Sequence, residues 1–353
     1  MVNTDERNAE GVKMNTKNLK IDKTHKWNRV VKKYYIYAVL LLIVIVFSVM
    51  KLDEVTFFGR GHFLSPASIT NLLRSAVPIL TLSGAFTLLM ISGNIDLSVG
   101  SAMSLNAVVY SLMILNGFSM GIAFILTLIL GIFCGFINGY IVQKLRITPV
   151  IATLVTLNLF KGVALLIVPN GVSAIKGTAD KVMPIWINDY ARKKVLLGLP
   201  TAFYVAILVI VLLIITQRKT ILGKYAVAVG GNRTAAELSG INARQVAWLL
   251  YILVGFMAAL AGIARASYMS TGNPLSGDGM ELDNIIAVLL GGTAFAGGEG
   301  SVAKTMVGAL IIMCVTTGLM TVIPPYWQSV AKGTVLVIAV VLNKMLIKTG
   351  VEA

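Results

Sequence analysis

The sequence predicts an all-α integral membrane protein, a bundle of about ten transmembrane helices interrupted by glycine-rich breaks. Three observations carry that expectation. Of 353 residues, 57% are hydrophobic and 13% charged, about half the charged share of an ordinary soluble domain. Such a chain cannot cover its own surface with polar groups. Its apolar residues arrive in blocks of about 17 to 24, the length at which a helix rising about 1.5 Å per residue crosses a hydrocarbon core of about 30 Å. Between two pairs of blocks lie short stretches too polar and too rich in glycine to continue a helix.

In chain order the expected spans are 34–50, 71–93, 97–116, 120–142, 149–169, 196–216, 245–268, 284–297, 301–322 and 328–346. The first follows a basic stretch, as a secretory signal would. It has no small-x-small cleavage site and more spans come after it, so a retained helix is expected. Residues 1–33 form a basic N-terminal segment, 34–346 the membrane domain and 347–353 a tail. Tyr34, Tyr35, Tyr326 and Trp327 sit where aromatic rings anchor helices at the headgroups.

The net charge of +15 raises the question of a nucleic-acid partner. Nine of the thirty Lys and Arg precede Tyr34, and most others occupy short loops between blocks. That placement fits orientation signals, and no nucleic-acid face is expected. With both termini inside, the loops on the cytoplasmic side carry 19 basic residues and the outer loops 8, although the loop from 170 to 195 holds five of those eight. The two cysteines, Cys134 and Cys314, lie inside apolar blocks and read as small apolar residues.

The first break is Ile91-Ser-Gly-Asn-Ile-Asp-Leu-Ser-Val-Gly-Ser101, and the second is Gly291-Gly-Thr-Ala-Phe-Ala-Gly-Gly-Glu-Gly-Ser301. Backbone freed from helical bonding at that depth must be buried in protein or line a wet cavity. Asp96 is the one acidic residue the spans place near bundle depth. It either caps the third span, its carboxylate accepting backbone N–H groups, or contacts a solute, or does both.

The largest segment between spans, 217–244, holds Asn232-Arg-Thr-Ala-Ala-Glu-Leu-Ser-Gly240. It opens with an N-cap residue, continues with helix formers and stops at a glycine, the pattern of a short helix outside the membrane. No Gly-x-x-x-x-Gly-Lys-Ser/Thr loop is present to cradle phosphates, so the chain is not expected to hydrolyse ATP.

Gly93-Asn-Ile-Asp-Leu-Ser-Val-Gly-Ser101 resembles the Gly-Gly-Ile-Asp-Leu-Ser-Val-Gly-Ser signature of ABC-importer permeases of the ribose, xylose and galactofuranose type, with Asn94 in place of the second glycine. Tyr225-Ala-Val-Ala-Val-Gly-Gly-Asn232, Ala235-Ala-Glu-Leu-Ser-Gly-Ile241, Gly279-Met-Glu-Leu-Asp283, Gly291-Gly-Thr293 and Gly297-Gly-Glu-Gly-Ser301 look like the same family, in the same order. The resemblance implies a non-enzymatic subunit of the bacterial plasma membrane with cytoplasmic termini. Its implied partners are a second permease chain, identical or paralogous, a cytoplasmic ATPase holding ATP and Mg, and an extracytoplasmic solute-binding protein.

It further implies a coupling helix pressed into the ATPase by Gly230, Gly231, Asn232, Ala235, Ala236, Leu238, Ser239, Gly240 and Ile241. Ala235 and Ala236 would allow close approach, and Leu238 with Ile241 would supply apolar anchoring. Ser92, Asn94, Asp96, Ser98, Asn284 and Thr293 become candidates for the translocation path, since neutral sugars are recognised by hydrogen bonds, or else they tie discontinuous helices together. Glu281 and Asp283 either cap the eighth span or meet a basic patch on the binding protein. Within the family the solute could be a nucleoside, autoinducer or other small polar molecule instead of a monosaccharide. An ion-coupled secondary transporter would share broken helices, yet it needs ionisable sites deep in the bundle and leaves the 217–244 segment unexplained.

Overall fold

The computed structural model describes residues 36–46, 48, 65–168, 187–193, 195, 198–320, 327, 330, 333, 334 and 337. The basic N-terminal segment, Tyr34, Tyr35, Tyr326, the tail and most of the tenth expected span lie outside the described residues. Trp327 is described and exposed.

Twelve helices are described. In order they are α1 (Ile36–Val46), α2 (Pro66–Ile91), α3 (Val99–Leu115), α4 (Met120–Gln143), α5 (Pro149–Ile167), α6 (Ile187–Arg192), α7 (Thr201–Lys219), α8 (Ile221–Gly231), α9 (Arg233–Leu238), α10 (Ala243–Met269), α11 (Met280–Leu290) and α12 (Val302–Met320). Five of them, α2, α4, α5, α7 and α10, are long and apolar enough to cross a bilayer. Their ends carry ordinary punctuation. Ser65 Oγ accepts Ser68 N–H at 3.2 Å ahead of Pro66, and Asn242 Oδ1 accepts Gln245 N–H at 3.1 Å to start α10.

The core is built around α10, which packs most extensively on α4, α3 and α2. Close approach of α4 and α10 depends on small residues. A β-carbon at Gly131 would strike Ala259 and the Gly255 carbonyl, one at Gly135 the Tyr251 carbonyl, and one at Gly139 the Trp248 ring. In lipid no hydrophobic effect draws helices together, so such close backbone packing supplies the attraction. The six residues of α6 lie across the end of α10, where Ser267 Oγ donates to the Ile187 carbonyl and the Arg192 guanidinium donates to the Tyr268 carbonyl.

Besides α6, which falls in the loop expected from 170 to 195, two elements differ from the sequence-based expectation. The eighth span is expected at 284–297, but α11 is an 11-residue helix that ends at Leu290. Gly279, at φ +84°, starts it a turn early, and Gly291 and Gly292 end it. The chain between α10 and α11 runs as turns along α3: a β-carbon at Gly272 would meet Val108 and Ser111, and Gly277 N–H donates to Ser104 Oγ at 2.8 Å. The second difference is α8, eleven residues of helix ahead of the expected short helix, which itself appears as α9.

Candidate functional site

The non-helical stretch between α2 and α3 must find partners for its backbone away from water. It does so through polar side chains that α4, α5 and α10 bring to it. Asp96, 2% exposed, accepts the Ser98 N–H at 2.8 Å and the Ser98 hydroxyl at 2.7 Å through Oδ1, and Asn138 Nδ2 of α4 at 3.0 Å through Oδ2. Asn138 also donates to Ser98 Oγ at 2.7 Å, closing a small network. Asn94 Oδ1 accepts Gln143 Nε2 at 3.2 Å. Thr153 Oγ1 of α5 accepts Leu97 N–H at 3.1 Å, and the Tyr251 hydroxyl of α10 donates to the Ile95 carbonyl at 3.0 Å.

The second stretch, between α11 and α12, meets the first directly. Gly298 N–H donates to the Ile91 carbonyl at 2.8 Å. Against the same carbonyl lies the end of α8: a β-carbon at Gly230 would land on the Ile91 oxygen and within 2.6 Å of Gly298 N. The end of α2, the second break and α8 therefore share one junction. From α7, a single amide fastens the other side of the break, with Gln217 Nε2 donating to the Gly300 carbonyl at 2.8 Å and Gln217 Oε1 accepting Val302 N–H at 2.9 Å. Gln217→Ala strands both backbone groups and is expected to cost about 2 kcal/mol. Thermal unfolding of the detergent-solubilised variant checks this.

The path candidates separate into two groups. Ser92 and Asn94 border a cavity of about 630 Å³, which Gln143, Arg146, Gly230 and Asn232 also line. A smaller cavity of about 190 Å³, bounded by Met90, Pro149 and Phe295, shares Asn94 with it. Asp96 and Ser98 are closed into the network with Asn138, away from both cavities. Asn284 is fully buried and accepts Ser83 Oγ at 2.7 Å, while Thr293 is fully buried beside Gly300. The Thr87 and Thr305 hydroxyls share a hydrogen bond at 2.9 Å in the same interior layer.

In the 217–244 segment, Asn232 Oδ1 accepts Ala235 N–H at 3.0 Å, as an N-cap does, and Gly240 follows α9 at φ +84°. Leu238 projects outward, 85% exposed, with Ala235 and Ser239 exposed beside it. Ala236 is buried and Ile241 packs against the bundle's own core. Apolar anchoring by this helix thus falls to Leu238, with Ile241 turned inward.

Glu281 and Asp283 stand in the first turn of α11. Glu281 Oε1 accepts Gly279 N–H at 3.2 Å and its other oxygen lies beside Gly100 of α3, while Asp283 is 5% exposed. Asp96 is therefore not the sole acidic residue in the interior. The helper residues Asn138, Gln143, Gln217 and Tyr251 escape a motif search because they come from three different helices, α4, α7 and α10, and form no pattern along the chain. Their one signal is a hydrogen-bonding group at membrane depth.

Among the described residues, a helical bundle with apolar outer faces and a buried seam of hydrogen-bonded polar backbone defines a multi-pass membrane protein. The chain belongs to the family described as the branched-chain amino acid transport system / permease component, whose model matches residues 68–340. It is 34% identical over 283 residues to the ribose import permease protein of Bacillus subtilis strain 168, covering 80% of this chain and 86% of that one. It is 35% identical over 285 residues to the galactofuranose transporter permease protein of Escherichia coli K12, 80% of each chain. The autoinducer 2 import system permease protein of Photorhabdus laumondii is 31% identical over 287 residues, 80% of this chain and 83% of that one. No solved structure is significantly similar to the chain.

Proposed function

We propose that this chain is the permease subunit of an ATP-driven, binding-protein-dependent importer and forms the translocation path for a monosaccharide. The observation that carries the reading is the junction at the Ile91 carbonyl, where α8 and the second break meet the end of α2. A push on α9 from a cytoplasmic ATPase passes through α8 to both breaks without crossing a flexible linker. The named relatives favour a sugar over an amino acid. The chemistry agrees: Asp96 is committed to Ser98 and Asn138, and the cavity is bordered by the neutral groups Ser92 and Asn94, themselves bonded to each other, to the Leu89 carbonyl and to Gln143.

On this reading the ten expected spans place both termini and α8–α9 in the cytoplasm of a bacterial cell. ATP and Mg belong to the partner ATPase. A second permease chain, identical or paralogous, completes the path, and an extracytoplasmic binding protein delivers the sugar. The breaks remain bundle joints in which Asp96, Ser98, Asn284 and Thr293 tie discontinuous helices together. Glu281 and Asp283 act first as the acidic opening turn of α11, where the helix dipole favours them.

Gentle detergent purification from the native membrane followed by mass spectrometry tests the partnership. Recovery of an ATPase with a phosphate-binding loop is expected, and a permease that purifies alone contradicts it. The coupling role of α9 has a separate test. Gly240→Trp must hold φ +84° with a side chain, at a cost of about 1–2 kcal/mol. It is expected to leave ATP hydrolysis by the assembled complex in place while uptake falls at least about tenfold. Gly240→Asn, which tolerates the left-handed region, retains most uptake.

A further inference from the structure

Two helices present outward faces that are apolar over their middle turns. On α4 these are Ile122, Ile125, Ile129 and Phe133, and on α7 Leu208, Val211, Leu212 and Ile215. Acyl chains require such faces. The outward face of α5 is different. Its inner edge, Ala152, Thr153, Thr156, Phe160 and Ala164, is buried, and the helix packs on α3. Its outer side carries exposed Asn158 among Leu154, Val155 and Leu159, with Lys161 one turn further on. Lys161 Nζ donates to Asp278 Oδ2 at 2.7 Å, and the two side chains remain 32% and 45% exposed.

Lys161 falls inside the fifth expected span, 149–169, and brings Asp278 to it. Along α5, Lys161 lies about 18 Å from the helix start and about 9 Å from its end. Asp278 follows Gly277, whose backbone is held against Gly100 and Ser104 in the first two turns of α3. Glu281, one turn of α11 away, lies within electrostatic reach of both Asp278 and Asp283. Facing hydrocarbon, each charge would cost about 2.5–3.5 kcal/mol near the helix centre. A lysine can snorkel to relieve that cost, but an aspartate is too short to follow it. Protein or water, not hydrocarbon, therefore borders this face.

We infer that Asn158, Lys161 and Asp278 form a hydrogen-bonding station on the wall of the aqueous path, contacting a neutral polyol in transit. The inference rests on the permease reading above and adds the residues that touch the sugar. A carboxylate accepts two neighbouring hydroxyls and an ammonium donates to a hydroxyl oxygen. Asn158 donates one N–H to the Leu154 carbonyl at 3.0 Å, which leaves its carbonyl and second N–H to the path. The paired charges cancel, so the station holds a neutral solute without trapping an ion.

The test uses the full chain with Cys134→Ala and Cys314→Ala, in proteoliposomes with its ATPase and binding protein. Asn158→Cys is expected to react with a membrane-impermeant maleimide at least about tenfold faster than Ile129→Cys on α4, because the thiolate forms only where water reaches it. Lys161→Met/Asp278→Leu is expected to keep the ATPase bound while uptake of radiolabelled pentoses and hexoses falls at least about tenfold. Equal reactivity of the two cysteines, or uptake by the double variant at the parent level, overturns the inference and makes the pair a lipid-facing strut. If the parent protein itself takes up no sugar while its Asn158→Cys variant labels rapidly, the permease reading fails and the wet face stands.

Discussion

Gly230→Val is expected to abolish ATP-driven uptake, and Gly231→Val, one residue on, to leave it largely intact. The difference lies in what each new side chain would meet. At residue 230 a β-carbon falls on the Ile91 carbonyl oxygen and crowds Gly298 N, both of them backbone atoms already bonded to each other. No rotamer relieves a clash at the β-carbon, so α8 must move away from α2 or the Gly298–Ile91 hydrogen bond must open. At residue 231 nothing lies within 4 Å. Overpacking of this kind costs about 1–3 kcal/mol, and more where backbone must shift. If the displaced contact carries the stroke, uptake falls about a hundredfold. Uptake and ATP hydrolysis measured on the same proteoliposomes separate a broken stroke, in which hydrolysis persists, from a misfolded chain, in which the complex fails to assemble.

Asp96→Leu is expected to produce the largest loss of stability of any single change at the break. It removes the acceptor for Ser98 N–H, Ser98 O–H and Asn138 N–H together, and Ser98 and Asn138 are themselves almost wholly buried. Each stranded donor costs about 1–3 kcal/mol, so the total reaches at least about 3 kcal/mol. Asp96→Asn keeps one acceptor oxygen but turns an amide toward the Asn138 amide, donor against donor. The exchange Asp96→Asn with Asn138→Asp restores a donor–acceptor pair and is expected to recover most of the lost stability. Thermal unfolding of the four proteins in one detergent reads this directly. Equal stability of Asp96→Leu and the parent would show that the carboxylate is not what holds the break.

Much of this was legible in the residues. Block length placed most helices within a few residues, because hydrocarbon thickness leaves little choice. The Asn232 cap and Gly240 stop marked α9, and the polar composition of the first break marked Asp96 as a residue with a buried task. The α8 helix was not legible, because Gly223, Gly230 and Gly231 give its eleven residues poor helix propensity. In the fold, Gly223 and Gly230 permit packing on the Gln217 and Ile91 carbonyls. The short α11 was hidden by the apolar run that continues past Leu290, which hydropathy counts as span although Gly291 and Gly292 end the helix. Nothing in the sequence marked the Lys161 ion pair, since its partner Asp278 lies 117 residues away and only the return of the chain along α3 brings them together.

The measurement closest to the central claim is uptake of radiolabelled monosaccharides into proteoliposomes containing this chain, its ATPase and its binding protein. Uptake that requires both ATP inside the compartment bearing the ATPase and binding protein on the opposite side is the predicted result. Uptake that persists without ATP and follows an imposed ion gradient would contradict the account and make the chain an ion-coupled carrier.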